Sequence, residues 1–305
     1  MLQNRRQFIR KIASGTAAVI TAPAFFSCSQ PEDIRLTILH TNDVHSHIDP
    51  FPADHYEYPN QGGFARRSSL INRIRKEQNH VLLMDAGDIF QGTPYFNFYK
   101  GQLELELMSK MGYDVATLGN HEFDNGIEEL SKQIQHADFP FVCSNYDFSN
   151  TALNGLTHPY RIINKGGIKI GIFGLGIELN GLVNPASYKE TEYKDPIRVA
   201  HETCQQLKEV EQCDYIVCLS HLGYKYKTNQ VSDQIIAQQT KDLDLIIGGH
   251  THTYLPEPEL ITNDHNQQVL INQVGWGGAF LGRIDVVFKA TTNQQQAYFN
   301  TIYNV

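Results

Sequence analysis

Aspartate, asparagine and histidine stand at the ends of five strand-like runs, and these side chains bind metal ions or move protons. Residues 35–43 end on Asp43, with His45 two positions beyond. Residues 81–88 end on Asp88, and residues 114–121 end on Asn120 and His121. Residues 214–221 end on His221, and residues 243–252 end on His250 and His252. Ligands of open α/β sheets bind in the crevice outside the carboxyl ends of the strands. If these runs share a sheet, their terminal side chains converge, and a metal-dependent catalytic centre is predicted. The donors are imidazole and oxygen without thiolate, a set that suits zinc, manganese, iron or nickel. No C-x-x-C pair occurs, so a cysteine-ligated zinc site is not expected.

The elements that must position these residues alternate along the chain from residue 35. Residues 62–79 read as a helix with Leu70, Ile71 and Ile74 on one face. Residues 94–111 form a second, carrying Leu103, Leu105, Leu107 and Met108. Residues 125–137, with Asn125 placed to cap the first turn, 195–212 and 232–241 supply three more. Such alternation argues for βαβ units and against an all-helical or all-β chain. Two stretches break the rhythm. Residues 160–175 read as a hairpin turning at Gly166-Gly167, and residues 269–274 and 281–288 as a second pair around Trp276-Gly277-Gly278. The expectation is an α/β chain with two mixed sheets packed together and helices outside. Residues 49–61 and 179–194 are read as long surface loops.

A chain of 305 residues can bury a large core. The net charge of −8 and pI near 5.9 argue against nucleic-acid binding and against adhesion to an anionic membrane. Residues 1–28 differ from the rest. Arg5-Arg6 precede Phe8-Ile9 and a mildly apolar stretch over 12–26, too short to span a bilayer and suited to a signal peptide. The paired arginines resemble a twin-arginine export signal. Phe25-Phe26-Ser27-Cys28 resembles a bacterial lipobox in which Phe replaces the usual Leu and small residue. This predicts export in a bacterium, to the periplasm or to an outer membrane through a lipid anchor on Cys28. Residues 29–34 are then a linker and 35–305 the catalytic domain. Cys143 and Cys218 lie in apolar runs and are expected to be buried hydrophobes. Cys204 and Cys213 lie about 13 Å apart along one predicted helix, at 1.5 Å per residue, too far for a disulfide.

Each motif alone is weak, since Asp-x-His recurs by chance. In this order, each at a strand end, they resemble the calcineurin-like metallophosphoesterases. The chain is more closely similar to the catalytic domain of the 5'-nucleotidase family, through Ile38-Leu-His-Thr-Asn-Asp-Val-His45, Leu118-Gly-Asn-His-Glu-Phe-Asp124 and Gly249-His-Thr-His252. The resemblance covers about residues 35–290. It implies a four-layer α/β/β/α sandwich and two divalent ions bridged by a carboxylate. Asp43, His45, Asp88 and His252 would hold the first ion, and Asp88, Asn120, His221 and His250 the second. Gln takes the place of His252 in several members, so the metal preference of the first site is expected to differ. Two ions about 3.5–4 Å apart can clamp the oxygens of an in-line displacement at phosphorus. The resemblance further implies that His121 stabilises the transition state or protonates the leaving group, oriented by Asp124. Glu122 is assigned a structural place. His40, His47, His55, His158 and His265 are given no part in the chemistry, and Arg66 and Arg67 are read as a solvated helix face.

The implied substrate is a phosphomonoester, foremost a nucleoside 5'-phosphate. Cleavage of 2',3'-cyclic nucleotides, UDP-sugars or sulfur esters stands as an alternative, as does a non-enzymatic subunit of a complex. Intact His121 and Asp124 argue against the last. Family members usually continue into a second domain that stacks the base and grips the phosphate, and the sequence ends at Val305 without one. A separate chain supplying that domain, or a stand-alone phosphatase with an open site, is therefore expected.

Overall fold

The computed structural model describes residues 32–305, so the export signal, Cys28 and the first half of the expected linker lie outside the described residues. One sheet contains β1 (Ile34–Thr41), β2 (Val81–Asp85), β3 (Val115–Ala116), β4 (Phe141–Val142), β6 (Thr157–His158), β14 (Phe280–Lys289) and β15 (Gln294–Asn304). Their order is β15-β14-β1-β2-β3-β4-β6. The run from β1 to β6 is parallel, whereas β14 is antiparallel to both β1 and β15. The other large sheet contains β7 (Tyr160–Lys165), β8 (Ile168–Gly176), β10 (Tyr215–His221), β11 (Leu245–Gly248), β12 (Glu259–Thr262) and β13 (Gln268–Asn272). Its order is β12-β13-β11-β10-β8-β7, with a parallel centre and antiparallel edges. β5 (Tyr146–Asp147) and β9 (Glu192–Tyr193) form a short ribbon.

Side-chain alternation turns these sheets into layers, because successive residues of a strand face opposite sides. Leu36 and Ile38 of β1, Leu82 and Met84 of β2, and Val217 and Leu219 of β10 meet in one cluster between the sheets. Leu39 and Leu83 face the other way, onto Ile71, Ile74, Leu105 and Met108 of the outer helices. Ile216, Cys218 and Ile246 likewise face Ala200, Leu207 and Ile236 on the far side. The four implied layers are present. Parallel strands covered on both faces read as near-continuous apolar runs, which is why β2, β10 and β11 are buried throughout.

The helices keep to their predicted places with informative differences. Phe64–Glu77 lies within the expected 62–79. The expected helix over 94–111 is two, Pro94–Tyr99 and Gln102–Met111, broken where Lys100 and Gly101 adopt φ of 57° and 108°. A Cβ on Gly101 would stand 2.2 Å from the Phe90 ring, so the break makes room for that buried side chain. Ile127–Gln133 is preceded by Gly126 with no side-chain cap, so Asn125 does not cap it. Pro196–Gln205 continues into a π-helical turn over Gln206–Val210. Within 179–194 the chain also forms the short helix Pro185–Tyr188 and β9.

Two expectations fail. β13 and β14 are not a pair: they belong to different sheets, and the chain crosses between them through residues 273–279. Arg67 is not solvated but fully buried, with its guanidinium 4.6 Å from the Phe64 ring centroid. Adjacent helical residues point about 100° apart, so Arg66 and Arg67 cannot share a face, and Arg67 falls on the Phe64–Ile71–Ile74 stripe. The hairpin at Gly166-Gly167 forms as expected, both glycines having positive φ. Cys143, Cys204, Cys213 and Cys218 are buried and free.

The two sheets touch backbone to side chain at Gly174 of β8. A Cβ there would stand 2.2 Å from the Val142 carbonyl oxygen and 2.4 Å from Thr117 Oγ1. Gly174→Ala should therefore cost about 1–3 kcal/mol through overpacking, read as a lower urea midpoint with unchanged slope. An unchanged midpoint would show that the sheets part there without penalty.

Candidate metal centre

The strand pairing brings the parallel ends level. Thr41 pairs with Asp85 across β1 and β2, and Ser220 with Gly248 across β10 and β11, so the segments leaving them emerge together. Asp43, His45 and His252 bring one ligand atom each within 4.8 Å of one another, and Asp88, His221 and His250 do the same. His45 Nε2 stands 3.0 Å from His252 Nε2, and His252 Nε2 stands 3.4 Å from Asp43 Oδ1. In the second group His221 Nε2 is 3.0 Å from Asp88 Oδ2, and His250 Nδ1 is 2.8 Å from Asn120 Oδ1. Asp88 stands between the groups, since its Oδ2 is also 3.9 Å from His45 Nε2. All seven expected ligands thus lie in one cleft. His121 and Asp124 lie beside them: His121 Nδ1 donates to Asp124 Oδ2 at 2.7 Å, and its ring centroid is 5.3 Å from that of His45.

Bringing the side chains together requires unusual backbone. Asp43, His45, Asp88, His250 and His252 have φ of 49°, 51°, 53°, 70° and 51°. A left-handed conformation costs a residue with a Cβ on the order of 1–2 kcal/mol, and persists where surrounding bonds over-determine it. Here those bonds are visible. The amides of Asp43, His45 and Ser46 donate to the carbonyls of Gly87, Asp88 and Ile89 at 2.9, 3.0 and 2.9 Å. Glu122 accepts from the amides of Asp88, Ile89, Phe90 and Gly119 at 3.0, 2.7, 3.2 and 2.6 Å. One buried carboxylate therefore ties the loop of Asp88 to the loop of Asn120. The His121 amide donates to Asp88 Oδ1 at 2.8 Å, so that carboxylate also sets the position of His121. His221 Nδ1 donates to the Ala86 carbonyl at 2.7 Å, and His45 Nδ1 to that of Phe90 at 3.2 Å, which leaves each Nε2 facing the cleft as a donor of electrons. Asn42 holds Asp43 Oδ2 at 2.7 Å and anchors to the Gly275 carbonyl.

The electrostatics call for a cation. Asp43 and Asp88 are 0% and 2% exposed, and among the described residues their ion-pair partners are histidines, never lysine or arginine. Burial opposes a charge on His221, yet the Asp88 carboxylate outweighs it and lifts the imidazole to about 10. Burial likewise opposes ionisation of Asp88, and the facing imidazoles hold its carboxyl well below the usual range. Burial, reinforced by the charge of His221, lowers His250 to about 4, and burial lowers His45. Ionised carboxylate and the neutral imidazoles of His45 and His250 are the forms that bind metal, and on His221 a divalent ion would take the place of the proton held beside Asp88. His221 Nε2 is buried and faces the Asp88 carboxylate, and His45 Nε2 and His252 Nε2 have the separation of two ligands sharing one ion at bonds of about 2.0–2.1 Å. The donor set fits divalent cations.

Two cavities open from the cleft. One, of about 410 Å³, is lined by His45, His121 and His252 together with aromatic residues around Phe51 and Trp276. His47 and His55, given no part in the sequence reading, line it as well. Their placement in the loop directly after the Asp-x-His motif was the signal available for them. The other, of about 900 Å³, reaches His250 and is lined by Glu178, Asp195, Tyr193 and Tyr226 among others.

A family model described as calcineurin-like phosphoesterase matches residues 36–254. The chain is 35% identical over 289 residues to the snake venom 5'-nucleotidase of Gloydius brevicauda, a match covering 88% of this chain and 48% of that protein. Among solved structures, a 5'-nucleotidase precursor from Thermus thermophilus is similar with a TM-score of 0.81 and 33% identity, over 89% of this chain and 55% of that one. The NAD nucleotidase of Haemophilus influenzae is similar with a TM-score of 0.77 and 28% identity, over 90% and 51%. The chain spans about half the length of the curated relatives it matches.

Saturating a chelator-treated sample with manganese or zinc should stabilise the fold by about 4 kcal/mol at a thousandfold excess over Kd, read as a higher Tm. Asp88→Asn should lower the metal content by at least one ion per chain in elemental analysis. Retention of the wild-type content by that variant would remove Asp88 from its place between the groups.

Proposed function

The chain belongs to the calcineurin-like phosphoesterases, a family of metal-dependent phosphoester hydrolases, and on that premise we propose that it hydrolyses phosphomonoesters, foremost nucleoside 5'-phosphates. The observation that carries this reading is the pair of ligand groups joined at Asp88 with the His121–Asp124 pair beside them. The similarity to proteins named 5'-nucleotidases supports the choice of a nucleotide. Asp43, His45, Asp88 and His252 would hold one ion, and Asp88, Asn120, His221 and His250 the other. Bound there, two divalent ions supply positive charge to the phosphoryl oxygens and acidify a water.

His121 supplies what the ions do not. Its hydrogen bond to Asp124 raises the imidazole above its ordinary value, against the opposing effect of burial. The same bond assigns one proton to Nδ1, so the second proton, held on Nε2, is the one delivered to a departing oxygen. A ribose 5'-oxygen leaves as a strongly basic alkoxide and needs that proton. A nitrophenolate does not. The sequence of residues 1–28 supports export of this activity, with Cys28 as the position of a lipid anchor.

With manganese or zinc bound, AMP should be turned over with a higher kcat/KM than UDP-glucose or 2',3'-cyclic AMP. Absence of turnover on these and on p-nitrophenyl phosphate, at full metal occupancy, would sink the proposal. His121→Ala should keep its metals yet lose on the order of 10²–10⁴ in kcat on AMP, and less on p-nitrophenyl phosphate. Unchanged kcat on AMP would remove His121 from the chemistry.

The pH profile tests Asp124 separately. The proton that His121 delivers is present below its raised pKa and lost as pH rises through it, so kcat on AMP falls on the alkaline side. Asp124→Asn replaces the carboxylate whose hydrogen bond raises that pKa with a neutral acceptor, and the alkaline limb should move to lower pH. A limb that stays in place belongs to another group.

A further inference from the structure

The geometry points to a base-stacking subsite built from this chain's own loop at 47–58 and Trp276, which selects nucleotides over other phosphomonoesters. The inference deepens the phosphomonoesterase reading and rests on it. The 410 Å³ cavity shares His45, His121 and His252 with the candidate metal centre, so a ligand whose phosphate sits among the metal ligands extends into it. Its volume lies in the range of small-molecule sites. Its far wall is aromatic. The His47 and Phe51 rings are 4.3 Å apart, those of Phe51 and His55 4.4 Å, and those of Phe51 and Trp276 5.3 Å. Trp276 lies nearly parallel to the His252 ring, at 5.7 Å and 15°. Among the described residues no Asp, Glu, Lys or Arg lines this cavity, so what it offers a ligand is flat π surface.

The wall is built, not incidental. Phe51 is buried with Tyr58, Val274, Ala279 and Phe280 beneath it. A Cβ on Gly277 would stand 2.2 Å from the Phe51 ring, so only glycine allows the Trp276 turn to close on it. The Trp276 indole N–H donates to Glu57 Oε2 at 3.2 Å, and the Gly277 amide to the Asp43 carbonyl at 2.7 Å. The indole is therefore held relative to the metal ligands, while remaining partly exposed. The larger cavity beside His250 is the wrong one for this purpose. Glu178 and Asp195 line it, and carboxylates there suit hydroxyl groups better than a stacked ring.

Trp276 is the single tryptophan of the chain, so indole emission from the metal-loaded full chain reports on this subsite alone. Titration with adenosine or AMP should quench it saturably, whereas ribose 5-phosphate should not. Stacking contributes roughly 5- to 150-fold per base, so Trp276→Leu and His55→Ala should each lower kcat/KM on AMP relative to ribose 5-phosphate, by about tenfold for the indole. Absence of quenching by adenosine and AMP, or equal losses on both substrates in both variants, would overturn the subsite. Should Trp276→Leu fail to fold, His55→Ala carries the comparison. The outcome separates from that of the activity itself, because adenosine binding needs no turnover and phosphate release from ribose 5-phosphate needs no base.

Discussion

Two buried carboxylates that no lysine or arginine among the described residues neutralises set the terms for the rest of this structure. Asp43 and Asp88 lie at the floor of the cleft and face imidazoles. An unpaired buried charge costs several kcal/mol or more, so the fold must either protonate the carboxyls or supply a cation. The surroundings favour the second course. Asn42, the His250 amide and the His121 amide all donate to these carboxylates, and such bonds stabilise the ionised form.

The same requirement explains the strained backbone. Ligands that surround a common point cannot all come from regular strand positions, whose side chains alternate between faces. The chain turns abruptly after β1, β2 and β11, and the left-handed residues Asp43, His45, Asp88, His250 and His252 are the means. Glu122 then bonds the two loops to each other through four amides, a role that helps hold the ligands whatever their own strain. Glu122 thus couples the Asp88 loop to Gly119, next to Asn120, and Asp88 in turn accepts from the His121 amide. His121 and Asp88 are consequently parts of a single hydrogen-bonded unit.

The candidate metal centre and the cavities that open from it are built of different materials. The centre is charged, buried and built at strand ends from both sheets. The walls leading from it are loop residues, aromatic on one side and acidic on the other. A rigid scaffold carrying the reaction and loops carrying recognition is the usual division of labour in such folds, and it lets specificity change without disturbing the ligands.

The candidate ligands and the layered α/β architecture were legible in the sequence by itself, because both are written locally. A parallel strand covered on two faces is a continuous apolar run, and the residue ending it is read directly. Asp43, Asp88, His221 and His250 each follow such a run. Which runs share a sheet is not written locally. Residues 269–274 and 281–288 have the pattern of a pair, yet β13 joins one sheet and β14 the other, because register depends on partners far along the chain. Arg67 shows the same limit, being buried by a helix phase that its charge hides. The tertiary structure alone decided that Glu122 bonds four amides and that Trp276, more than two hundred residues from His47 and Phe51, completes their wall. Contacts across the chain depend on how two sheets and their loops close on one another, and no single segment contains that information.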